Sequence, residues 1–101
     1  MAITVIGKLQ IGVVVGDITY TGFTVRPAIL RDSIEAIEDL GAECSQARLR
    51  VAIEMRQTTF DEMPSEARNI DMFMGLCDKD YGIITDALNE VEKKLSAQSA
   101  P

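Results

Sequence analysis

Histidine and tryptophan are absent from the 101 residues, and cysteine and proline are scarce, at two and three. Without histidine the chain lacks the commonest general acid–base and a principal metal ligand. Cys44 and Cys77 lie in no glycine-rich or cationic motif, so both read as reduced, buried thiols, not as a bridge or a nucleophile. No apolar run approaches the roughly 18 residues of a membrane span. The start, Met1-Ala2-Ile3-Thr4-Val5, lacks the charged and long apolar regions of a secretory signal, which points to a cytoplasmic compartment. Basic residues are outnumbered: ten Lys and Arg against sixteen acids give a formal charge of −6. That balance argues against direct nucleic-acid binding, which requires clustered Lys and Arg, and biases the chain towards basic partners.

The acids that remain fit no motif. Asp78-Lys79-Asp80-Tyr81-Gly82 has the look of a calcium loop, but Gly82 falls at the fifth position and Asn89 at the twelfth. Such a loop requires glycine at the sixth and a bidentate Glu at the twelfth, and helix capping explains Asp78 and Asp80 more simply. Gly7, Gly12, Gly16 and Gly22 are scattered through β sequence and form no phosphate cradle. The other carboxylates cluster on helix faces with a solvent-facing explanation. The expectation is a protein without catalytic residues, metal or cofactor.

Apolar residues at 47% and charged residues at 26% are ordinary for a globular chain. One domain over residues 1–95 is expected, with the small polar stretch 96–101 as a frayed tail. Ile3–Ile6 and Leu9–Val15 are rich in β-branched residues, and Leu9, Ile11, Val13 and Val15 alternate as one face of a strand. Gly16-Asp17 joins this run to Ile18–Val25, which predicts a hairpin. Gly12 and Gly22 fall roughly opposite one another and mark a bulge or a close backbone approach.

Pro27 ends the strand and opens helical sequence. Leu30, Ile34, Ile37 and Leu40 form one helical face, Asp32, Glu35, Glu38 and Asp39 line the other side, and Gly41 stops the helix. A second helix is expected over about Ser45–Gln57, with Leu49, Ala52 and Ile53 as its stripe and Arg48, Arg50 and Arg56 making it locally basic. Thr58-Thr59-Phe60 reads as a break. A third helix from Pro64 carries Ala67, Ile70, Phe73 and Met74, widened by Met72 and Leu76. Asp78 caps a last helix with the most regular stripe in the chain: Tyr81, Ile84, Leu88, Val91 and Leu95. The expected fold is α+β, an N-terminal β-hairpin followed by three to four helices in a small bundle.

Two features exceed what a small domain requires of its core. One is the last stripe; the other is methionine, with Met55, Met63, Met72 and Met74 inside a short stretch. Left partly uncovered, they would form a helix-binding groove or a surface for homo-oligomers. Packing inside the protein's own core is the competing explanation. The candidate partner-binding residues are Met72, Phe73, Tyr81, Ile84, Leu88, Val91 and Leu95.

Tyr20-Thr21-Gly22-Phe23-Thr24-Val25-Arg26-Pro27, with Asp32 shortly after, resembles the strand, basic-proline junction and following acid of phage tail assembly chaperones. Asp78-Lys79-Asp80-Tyr81-Gly82-Ile83-Ile84 resembles the start of that family's last helix. The likeness runs from about Thr4 to Leu95 through short, degenerate motifs. It is nearest to the short tail assembly proteins of Mu-like and related contractile-tailed phages and prophages. The resemblance implies an assembly factor of the host cytoplasm that stays out of the virion. It would bind the tape-measure protein and help recruit tail-tube subunits. The family often makes a longer product by translational frameshifting, which would make this chain the short one. Arg26 joins the candidate partner-binding residues on this likeness; it either contacts a partner or closes an ion pair with Asp32. A small acidic phage-encoded inhibitor or regulator of a basic host protein is the alternative that the charge suggests.

Overall fold

The computed structural model describes residues 3–99. Strands β1 (Val5–Val15) and β2 (Ile18–Val25) form the expected antiparallel hairpin, turned by Gly16 at φ +62°. Helices α1 (Leu30–Leu40) and α2 (Gln46–Gln57) follow; Ser45 caps α2 by accepting the Arg48 N–H on its hydroxyl. A short strand β3 (Thr58–Phe60) then adds to β2, giving a three-stranded antiparallel sheet in the order β1-β2-β3. Helices α3 (Ile70–Met74) and α4 (Asp78–Ser99) complete an α+β fold.

The core forms where one face of the sheet meets α4. Leu9 and Val13 of β1, Tyr20, Phe23 and Val25 of β2, and Phe60 of β3 meet Ile84, Ala87, Leu88 and Val91. Phe73 of α3 closes one end, its ring edge-on to Tyr81 and tilted against Phe60. Gly7 leaves the space that the Phe23 ring fills across the hairpin: a Cβ there would lie 2.4 Å from Phe23 Cζ.

Several expectations change. Thr58-Thr59-Phe60 is a strand, because two β-branched residues leave the helix in extended conformation beside the free edge of β2. The single helix expected from Pro64 is broken: a 3₁₀ turn at Ser65–Ala67 ends at Arg68, and Asn69 recaps the chain for the five-residue α3. Gly22 stands opposite Lys8, not Gly12, and Leu9, Gln10, Ile11 and Gly12 face Thr21 alone. This wide bulge turns Ile11 out to solvent, against the period-two reading. Cys44 is half-buried and Cys77 exposed, both as free thiols. The last helix continues through residues 96–99 of the segment read as a frayed tail; Ala100 and Pro101 lie outside the described residues. No helix among the described residues is long and apolar enough to cross a membrane.

Candidate functional site

The side chains of α1 decide which way it faces. Asp32 is buried and accepts both guanidinium nitrogens of Arg26 at 2.8 Å, one on each carboxylate oxygen. It also accepts the Ile29 N–H at 2.9 Å, the reach-back bond of a helix start. The Arg26 hydrogen bonds hold the Asp32 carboxyl below the ordinary carboxylate range, helped by Ile29 and opposed by burial. One turn on, Ala36 is buried, and Glu35 and Asp39 both pair with Arg56 of α2. The acidic side of α1 is therefore its inner side.

The apolar stripe of α1 is accordingly on the outside. Leu30 is 78% exposed, Ile29 54%, Ile34 49% and Ile37 40%. Salt bridges and a buried carboxylate fix the opposite face, so the helix cannot roll its stripe inward without stranding Asp32 and Arg56. A buried charge without its partner costs several kcal/mol.

The C-terminus of α2 organises three arginines. The Arg56 carbonyl accepts from Arg26 Nη2 at 2.9 Å and from Arg68 Nη2 at 2.8 Å. Arg68 also donates to the carbonyls of Met55 and Thr58, both at 2.9 Å. These bonds satisfy carbonyls that a helix end leaves open, and they place cations where the helix dipole favours them. Desolvation lowers the Arg68 pKa, and the neighbouring charges of Arg26 and Arg56 add to the effect. Arg56 Nε is buried without a hydrogen-bond partner among the described residues.

Asp80 does for the bulge what Arg68 does for α2. From the first turn of α4 its fully buried carboxylate accepts the N–H of Gln10 on Oδ1 and of Gly12 on Oδ2, both at 2.8 Å. The Ile11 N–H reaches both oxygens at 3.2 Å. Gly12 has φ +99°, a conformation that L side chains rarely adopt, and this turns three successive donors towards one acceptor. Burial pushes the Asp80 carboxyl up, but the Gly12, Gln10 and Ile11 bonds outweigh it and hold it below the ordinary range. Asp80 is thus no simple helix cap.

The hairpin carries further exposed apolar residues. Ile6, Ile11, Val14 and Ile18 are all more than half exposed. Ile6 and Ile18 border a shallow depression of about 750 Å³ that also has Lys8, Thr19, Thr21, Asp61 and Glu62 around it.

The candidate partner-binding residues divide. Phe73, Ile84, Leu88 and Val91 fill the protein's own core and present no surface. Met72 and Tyr81 are half-buried against that core, and the Tyr81 hydroxyl donates to Glu54 Oε1 at 2.6 Å. Burial first, and then this bond, push the Tyr81 hydroxyl up to about 12. Leu95 is exposed, beyond the packed part of the stripe. Arg26 closes the ion pair with Asp32. Of the methionines, Met55 and Met63 pack partly against the core, and Met74 is exposed.

Sequence reasoning missed Ile6, Val14, Ile29, Leu30, Ile34 and Ile37 as surface residues. Composition carries no sign of their exposure, but the Asp32, Glu35 and Asp39 row opposite a basic helix was the available signal. The described residues bring together no group of three or more Cys, Asp or Glu side chains able to hold a metal ion. Comparison with family models, curated proteins and solved structures finds no match to this chain.

Proposed function

We propose that this chain is a non-catalytic assembly chaperone of the phage tail type. In this reading it binds the tape-measure protein through the exposed Ile6 and Ile18 surface of its hairpin and helps recruit tail-tube subunits in the host cytoplasm. The observation that carries the proposal is the apolar surface left open on the hairpin: Ile6 and Ile18 border one depression, and Ile11 and Val14 are also more than half exposed. Apolar surface left open on a small domain marks a place for a partner. A charge of −6 keeps such a surface soluble until the partner arrives. Lys8, Asp61 and Glu62 around the depression supply polar contacts that would set orientation. The likeness of the Tyr20–Pro27 segment to tail assembly chaperones supplies the identity of the partner.

Co-expression with the tape-measure protein of the same gene cluster tests the proposal. A soluble complex is expected, and Ile6→Asp with Ile18→Asp should abolish it while leaving the domain folded, since both side chains are exposed. A tape-measure protein that stays equally insoluble with and without this chain would sink the idea. The formal charge favours one second reading, an acidic inhibitor of a basic host protein. Its complex would dissolve at moderate salt, whereas apolar docking on the hairpin survives.

A further inference from the structure

The outer ridge of α1 lies on the side away from α2 and takes no part in the hairpin surface. Its residues form a short heptad pattern: Leu30 and Ile37 share one core position and Ile34 occupies the other. Arg31 and Glu38, seven residues apart, lie on one flank, their side chains exposed and without a hydrogen bond or ion pair among the described residues. Ser33 and Leu40 lie on the other flank, both half-buried.

We propose that the ridge binds a second copy of itself, with the two α1 helices antiparallel about a twofold axis. This pairing needs no residue beyond those in view. It sets Ile34 of each copy against Ile37 of the other. In the same register Arg31 faces Glu38 of the second copy, and the twofold axis repeats the pair. On the opposite flank Ser33 meets Leu40, a small residue against a large one. Leu30 falls opposite Gly41, just past the helix end, where there is no side chain to meet it. A parallel pairing would place Arg31 and Glu38 against the Ser33 and Leu40 flank and leave the charges unmatched. The charge pattern therefore selects a second copy in one orientation, as an isologous contact requires.

The contact is small. Eleven residues make a helix about 16 Å long. Two such helices bury less than the roughly 1,200 Å² of a stable interface, so the dimer forms reversibly and dissociates on dilution. The proposal is independent of the tape-measure reading, because α1 and the hairpin are separate surfaces.

Sedimentation of the full chain over a dilution series is the test. The mass should fall from dimer to monomer with dilution. Ile34→Asp should give monomer at every concentration, with an unchanged circular dichroism spectrum. Arg31→Glu and Glu38→Arg should each weaken the dimer at least tenfold. An equimolar mixture of those two variants should restore it, because every flank pair is then opposite in sign. A wild-type chain that is monomeric throughout overturns the proposal. So does a dimer indifferent to Ile34→Asp, or a mixture no tighter than its components. Loss of tape-measure binding by the hairpin variants, with this dimer intact, would separate the two proposals.

Discussion

α1 and α4 both repeat apolar residues at spacings of three and four, and their stripes end on opposite sides of the molecule. In α4, Ile84, Leu88 and Val91 go inward and meet the sheet. In α1, Leu30, Ile34 and Ile37 go outward, and Asp32 and Ala36 take the buried side. Periodicity shows that a helix has an apolar face; it does not say which way that face turns. The other face decides. Arg26 and Arg56 offer α1 two acceptor-hungry guanidinium groups on the side of α2, and its carboxylates answer them. α4 also buries a carboxylate, but Asp80 spends it on backbone donors within the same apolar wall.

The sharpest way to break this comparison is to truncate one residue of each stripe. Ile84→Ala should cost about 2–5 kcal/mol in chemical denaturation, while Ile34→Ala should stay within about 0.5 kcal/mol at low protein concentration. Equal costs would mean that α1 is packed inward. Asp80→Ala comes next, at about 2–4 kcal/mol, because it strands buried N–H donors. Asp80→Asn should recover part of the loss, and hydrogen exchange should quicken at Gln10, Ile11 and Gly12 in particular.

A smaller effect appears on acidification. Asp32 and Asp80 are both held below their ordinary values in the fold. Their stabilisation is therefore complete above about pH 5 and drains as pH falls through the unfolded value near 4 and the folded values below it. Thermal melts should fall across this window, and Asp80→Asn should flatten part of that fall. Smallest is Tyr81→Phe, at about 0.5–1.5 kcal/mol. The sign is reversed here: a raised hydroxyl favours the fold up to about pH 10 and ceases to as pH climbs through the folded value. Ultraviolet titration should show one tyrosine ionising at about 12.

The hairpin was legible because Val, Ile and Thr crowd both runs and Gly16-Asp17 separates them. The end of β2 was legible from Pro27, and the stop of α1 and the start of α2 from Gly41 and Ser45; α1 itself begins at Leu30, three residues after the proline read as opening it. What stayed hidden depends on distant partners. β3 is only three residues long and exists because β2 offers an edge. The third helix breaks at Arg68 because its guanidinium reaches back to the carbonyls that end α2. Asp80 read as a cap because nothing local announces three donors from β1. The surfaces were hidden for the same reason: the stripe of α1 reads as core until Asp32 is seen to claim the inside.

The reach of Asp80 has a consequence for how the chain is made. Its carboxylate bonds a strand 70 residues upstream, and the rest of α4 walls in the same sheet. During synthesis the hairpin leaves the ribosome early but has neither its covering helix nor an acceptor for its bulge. Such long-range closure is slow and comes late. A ribosome stalled before α4, or a protease cut there, should leave no partial domain behind; whether β1 becomes structure is decided by a helix synthesised 70 residues later.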